Sequence, residues 1–260
     1  MDSRLYRTGL TIGRLTIGRQ MAVRLAGALA VRLLAVVLTV GMWQTAAAQN
    51  GHDKPAHNPN WRDTLNVVNS QIAQGGWSTS LHLRKANAHL QLKQWQLAVD
   101  EYSLVLEREP HNPAALFYRA YANTHLRRFQ LSRADLQDLL AFVPNHFEAR
   151  LSLAVVLGQL GHKQEALDQL NQTIEQHRDS AVAYAMRANL ERDVKQDEAA
   201  LYDWQRAQQL APRDPTYVVS HVDLLLVLER RREARRVLDA AVRRGIPRGM
   251  LAEWYNKLKK

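Results

Sequence analysis

Small and large apolar residues return along this chain at a fixed interval. Counting from residue 79 in steps of 34, the eighth residue of each step is Ala86, Ala120, Ala154, Ala188 and Val222. The twentieth is Ala98, Ser132, Ala166, Ala200 and Ala234, and the twenty-fourth is Tyr102, Leu136, Leu170, Trp204 and Leu238. Pro110, Pro144 and Pro212 fall on the same frame, which runs to residue 248 without insertion or deletion. Inside each step the apolar residues recur at helical spacing, as Leu116, Ala120 and Tyr121 do in one half and Leu136, Leu139 and Leu140 in the other. The pattern predicts five helical hairpins, 79–112, 113–146, 147–180, 181–214 and 215–248. Small residues at positions 8 and 20 let the two helices approach closely, and the large residue at 24 fills the space toward the neighbour. Asn112-Pro113 and Asp214-Pro215 place an N-cap residue before a proline at the first helical position.

Both ends of the array are expected to carry single capping helices, because a stack of hairpins leaves an apolar face open at each end. Trp61, Leu65, Val68 and Ile72 form one stripe of a helix within 61–78 that Gly75-Gly76 breaks. Met250, Leu251, Trp254, Tyr255 and Leu258 form a similar stripe within 249–260. Residues 49–60, with His52, Pro55, His57 and Pro59, have no periodicity and read as a linker.

On the 34-residue spacing and the residues at positions 8, 20, 24, 27 and 32, residues 79–248 resemble the tetratricopeptide repeat family. Arg178 and Ile246 replace the closing proline of the third and fifth units, and no unit has an aromatic residue at position 11. The resemblance implies an all-α, right-handed superhelical solenoid, without a catalytic role of its own, that holds a protein or peptide partner in its concave groove. It also implies that first-helix positions 2, 5, 9, 12 and 13 face that groove. Among the residues there, Asn87 and Asn189 are candidates to bond a partner's backbone, and Phe117 and Tyr121 to supply apolar contact. His125, Gln159 and Arg192 are polar groups of the same row. Family members that clamp a C-terminal carboxylate carry a set of Lys, Asn and Arg that this chain matches only at Asn87. Leu83, Tyr118, Glu148 and Ser152 occupy the other places.

Charge divides the chain. The formal net charge is +10, with 35 Lys and Arg against 25 Asp and Glu. Six arginines against Asp2 make residues 1–48 basic, and Leu33–Trp43 is an apolar run followed by Ala46-Ala47-Ala48. That is the layout of a secretory signal peptide with cleavage after Ala48, residues 1–20 being an over-long start, and it predicts export to a periplasm or cell envelope. From Glu229 onward 11 basic residues face 4 acidic ones, and Arg231, Arg232, Arg235, Arg236, Arg243 and Arg244 form a basic patch. The patch suggests an alternative role at an anionic membrane surface or polymer. Nucleic acid is not expected, since aromatic residues are not interleaved with the arginines. A further alternative is an accessory subunit of an envelope enzyme.

The chain has no cysteine, so disulfides and thiol chemistry are excluded. No nucleophile elbow, phosphate loop, zinc-protease motif or dinucleotide fingerprint occurs, and no cofactor is implied. His82 and His89 lie two helical turns apart, and Glu191, Asp193, Asp197 and Glu198 cluster at a turn. Without a third ligand or a calcium-loop glycine, neither set predicts a metal site.

Overall fold

A computed structural model describes residues 60–259, and the predicted leader and most of the linker lie outside the described residues. The described chain is all-α. The first helix, α1 (Trp61–Gly75), precedes five pairs: α2 (Thr79–Gln91) with α3 (Trp95–Arg108), α4 (Pro113–His125) with α5 (Phe129–Phe142), α6 (Phe147–Gln159) with α7 (Lys163–Gln176), α8 (Ala181–Asp193) with α9 (Asp197–Leu210), and α10 (Pro215–Val227) with α11 (Arg231–Arg243). A 3-10 turn (Arg248–Leu251) and the short α12 (Ala252–Lys257) follow, where the sequence predicted one helix.

Each pair starts and turns by the same local chemistry. Asn112, His146, Ser180 and Asp214 accept a hydrogen bond from a backbone N–H of the first turn of α4, α6, α8 and α10. The second helices have no side-chain cap. Instead, the residue two before each one takes a left-handed conformation: Lys93, Arg127, Gly161, Lys195 and Glu229, with φ between 58° and 82°. That geometry lets the next N–H bond back across the helix end, as Gln94 N–H does to His89 O and Arg230 N–H to Leu225 O, both at 2.8 Å. Of these five, only Gly161 holds the conformation without a Cβ penalty.

The residues at positions 8, 20 and 24 are all buried, Trp204 and Leu238 fully. Every helix packs on its predecessor and successor, as a solenoid requires. Neighbouring first helices also touch, α2 with α4 and α4 with α6, while consecutive second helices make no comparable contact. In the first three pairs first helices therefore line the inner side of the curve, and a wedge of space opens between second helices on the outer side.

A ladder of polar contacts occupies that wedge. In the second pair Arg119, at position 7, donates to both carboxylate oxygens of Asp135 at position 23 (3.0 and 2.7 Å) and to Ser103 Oγ of the preceding pair (3.1 Å). In the fourth pair Arg187 does the same with Asp203 (2.6 and 2.9 Å) and Asn171 (2.8 Å). Each guanidinium thus ties two second helices to one first helix. Lys85 and Glu101 form a simpler version in the first pair at 2.6 Å. After the last pair Tyr255 donates to Asp239 at 2.7 Å across the same sequence separation. The third and fifth pairs break the series with Leu153 opposite Gln169 and His221 opposite Val237.

Candidate partner-binding site

The inner face is built from the exposed sides of α2, α4, α6, α8 and α10. At its second-pair section three rings pack together. Trp95, at the start of α3, stacks on His125 with centroids 4.1 Å apart and planes 4° from parallel, and Tyr121 meets His125 edge-on at 4.6 Å. Burial lowers the His125 pKa, helped by Lys93, and raises that of Tyr121, so the cluster is neutral and largely apolar at neutral pH. Trp95 is not among the predicted groove residues. It belongs to a second helix, and its signal is an offset of 30 residues that recurs where Lys163 Nζ donates to Asp193 O at 3.0 Å.

Asn87 and Asn189 stand at position 9 of the first and fourth pairs. Both side chains are half-buried, and Asn87 Oδ1 and Asn189 Nδ2 have no hydrogen-bond partner among the described residues. A buried amide atom left unsatisfied costs about 1–3 kcal/mol. Arg192 is half-buried and forms no ion pair among the described residues, and Gln159 is exposed. Phe117 turns its ring to Tyr118 and His146 and is only 6% exposed. Leu151 and Val155, in the same row, are buried in the third pair. The inner face therefore has polar sections around Asn87 and Asn189, an aromatic section at Tyr121, and an apolar packed section between them. At the far end Trp254 Nε1 (2.9 Å) and Lys257 Nζ (3.3 Å) donate to Asp223, so α12 covers position 9 of the fifth pair.

The predicted basic patch divides in two. Arg231 donates to Lys257 O, and Arg235 pairs with Asp239 at 3.3 Å and lies over the Tyr255 ring. Arg232, Arg236 and Arg243 project from the opposite side of α11 to its buried seam and, like Arg244, form no ion pair among the described residues.

The histidine and acid clusters serve the fold. His82 Nδ1 meets Glu101 at 2.8 Å beneath Trp77, and His89 Nδ1 meets Gln94 at 2.7 Å. Glu191 is buried against Asp203, 3.7 Å from Arg187, and Glu198 pairs with Arg230. Burial, then the Asp203 charge, raises the Glu191 pKa to about 7. Among the described residues no three His, Asp or Glu side chains are arranged to hold a metal ion. No described helix is long and apolar enough to cross a membrane.

Two family models, each for a tetratricopeptide repeat, match residues 83–147 and 148–180, on the frame of the helical pairs described above. Residues 83–180 are tetratricopeptide repeats. Over 97 residues it is 32% identical to human peptidyl-prolyl cis-trans isomerase FKBP4, a match covering 36% of this chain and 21% of that one. It is 27% identical over 101 residues to a DnaJ homolog subfamily C member 7 homolog of Dictyostelium discoideum, covering 39% of this chain and 18% of the relative. The repeat protein thus spans about a fifth of the length of these curated relatives. Among solved structures it resembles MamA with a TM-score of 0.58 at 17% identity, over 64% of this chain and 91% of that one. YrrB, a repeat protein described as having an unusual peptide-binding site, aligns with a TM-score of 0.56 at 16% identity over 74% and 99% of the two chains. At these identities the structural likeness concerns the fold.

Proposed function

We propose that this repeat protein is a non-catalytic adaptor of a cell envelope that holds a protein partner, or an extended segment of one, on its inner face. Scaffolding of protein interactions is what these repeats supply. The observation that carries the reading is one unsatisfied amide atom at each of Asn87 and Asn189, on the first and fourth pairs, with the Trp95, Tyr121 and His125 cluster at the second pair between them. A partner backbone would pair with the amides, and its apolar side chains would rest on the rings. The peptide-binding description of YrrB supports the same class of ligand, and the apolar run before Ala48 supports export. The test is affinity capture by the full chain from envelope extract, at low and at high salt, read by mass spectrometry. A partner retained at high salt and lost when Tyr121→Ala is combined with Asn189→Ala is expected. Unchanged capture by that double variant contradicts the inner-face reading.

A second reading, adhesion to an anionic surface, is favoured by the unpaired Arg232, Arg236 and Arg243. Each basic residue near such a surface contributes about 1 kcal/mol. It requires binding to anionic vesicles that falls steeply with salt and weakens when those arginines are neutralised.

A further inference from the structure

The outer side carries a site of its own, where the polar ladder is interrupted. In the second and fourth pairs the arginine at position 7 fills the wedge between consecutive second helices. In the fifth pair the same two places hold His221 and Val237, a shorter side chain and one that cannot accept a hydrogen bond. A cleft of about 510 Å³ lies there between α9 and α11. Leu201, Leu225 and Val237 give its walls an apolar strip, beside the polar Gln205, Gln208 and His221.

The polar groups around the cleft are not neutral in their arrangement. Gln208 Nε2 donates to Tyr217 O and to His221 Nδ1, at 3.2 and 2.8 Å. That assigns His221 the tautomer with its proton on Nε2, a donor with no partner among the described residues, in a residue that is 8% exposed. Burial and the nearby Arg230 guanidinium hold the His221 pKa down to about 4, so the ring stays a neutral donor at neutral pH. At the rim Arg230 is neutralised by Glu198 at 2.7 Å and by a two-point contact with Glu233 at 2.6 and 2.8 Å. Arg236 and Arg244 line the same rim and form no ion pair among the described residues, and the Tyr202 ring is 60% exposed on the opposite lip.

We propose that this cleft is a second, outer binding site for an acidic peptide segment, with one bulky apolar side chain seated between α9 and α11 and flanking carboxylates on Arg236 and Arg244. The charge pattern favours a peptide over a broad anionic surface. Glu198 and Glu233 stand on the same rim and oppose a continuous negative plane, whereas a peptide places its carboxylates only where the free arginines are. The site does not depend on the inner face, so failure of either reading leaves the other standing.

The test uses the full chain and a fluorescein-labelled pentapeptide with one phenylalanine flanked on each side by two aspartates. One control peptide replaces the phenylalanine with alanine, and another replaces the aspartates with asparagine. Anisotropy is expected to show binding about tenfold tighter than to either control, tenfold being about 1.4 kcal/mol. H221R combined with V237D rebuilds the clamp of the second and fourth pairs and fills the cleft. It is expected to melt at or above the temperature of the parent and to lose the peptide preference. V237W, which fills the cleft by bulk alone, gives the same readout if the double variant does not fold. R236Q with R244Q is expected to weaken binding about tenfold and flatten its salt dependence. Undiminished peptide binding by a folded cleft-filling variant overturns the proposal. So does an absence of preference for the phenylalanine–aspartate peptide. Binding to phosphatidylglycerol vesicles that needs Arg236 and Arg244, with no peptide binding, also overturns it in favour of a membrane surface.

Discussion

The fourth and fifth helical pairs are successive copies of one repeat, turn through a left-handed residue at the same position and bury the same positions, yet they hold their second helices in opposite ways. Between α7 and α9 stands a guanidinium with three hydrogen bonds to two partners; between α9 and α11 stand a neutral imidazole and a valine above a cleft. The backbone of a repeat is thus set by its small and large apolar positions. The wedge between second helices is a separate variable that each pair fills with charge, with apolar bulk, or leaves open. A buried ion pair is not present in every helical pair, since the fifth packs its two helices on each other with neither partner. Its energetic signature is instead asymmetry: once one partner is present, removing the other is costly.

The sharpest way to break this comparison is at position 23. Asp203 is 1% exposed and holds Arg187 by two hydrogen bonds. Asp203→Ala is expected to cost about 3 kcal/mol, because it leaves a partly buried guanidinium unpaired. Val237→Ala, the same position one pair later, is expected to cost about 1 kcal/mol. Denaturant unfolding followed by helical circular dichroism measures both. Equal costs would mean that the clamp contributes nothing beyond its volume.

Next in size is an opposition in pH dependence. Glu191, whose cationic neighbour Arg187 is already bound to Asp203, titrates near 7 in the folded chain instead of 4.5. The folded state binds this proton more tightly than the unfolded state. Its contribution is therefore full below about pH 4.5 and lost as pH rises to about 7. In the second pair the corresponding corner is Asn123, which carries no charge to lose. His221, between Gln208, Arg230 and Glu233, titrates near 4 instead of 6.5. Its contribution is full above about pH 6.5 and lost as pH falls to about 4. Each effect amounts to at most about 3 kcal/mol. Relative to the parent chain, Glu191→Gln should gain stability as pH rises from 4.5 to 7. His221→Gln should gain as pH falls from 6.5 to 4. Melting temperatures across that range check both signs, and parallel curves for parent and variant would remove the group concerned from the account.

Smaller effects sharpen the comparison by leaving it intact. Lys195 and Glu229 hold the left-handed turn that Gly161 holds without penalty. Glycine at either position is expected to stabilise by about 0.5 kcal/mol, and Gly161→Ala to destabilise by about 1 kcal/mol, in thermal melts. Arg133→Ala, which removes a 3.2 Å pair with the half-exposed Glu165 across two second helices, should change stability by less than about 0.5 kcal/mol. A loss of several kcal/mol there would place the cohesion of the solenoid in its surface charges.

The fold was legible in the sequence because its determinants repeat. Ala86 and Ala98 mark the close approach of two helices, and their counterparts recur once in every pair. The ladder was harder to read although it obeys the same frame. Its partners lie 16 residues apart, from Ser103 to Arg119 to Asp135, a spacing that stands out in neither the helix nor the repeat, and Leu153 and His221 interrupt the series. The inner face was legible only in part. Asn87, Tyr121 and Asn189 lie on the first helices of their pairs, but the resemblance could not tell that Phe117 would be absorbed by Tyr118 and His146. Nor could it tell that Trp95 would join from a second helix, or that α12 would cover Asp223. Those outcomes depend on side-chain directions across pairs, which a periodic pattern does not specify. The leader and its cleavage lie outside the described residues and remain part of the proposal.

The claim that the inner face holds the partner is tested most directly by site-specific photo-crosslinking in the full chain within its native envelope extract. A photoreactive phenylalanine analogue is placed in turn at Asn87, Tyr121 and Asn189, and at Tyr202 on the outer lip as the comparison. The three inner positions are expected to capture one common protein at high salt, and Tyr202 to leave that protein uncaptured. Capture of that protein from Tyr202 with none from the three inner positions would contradict it.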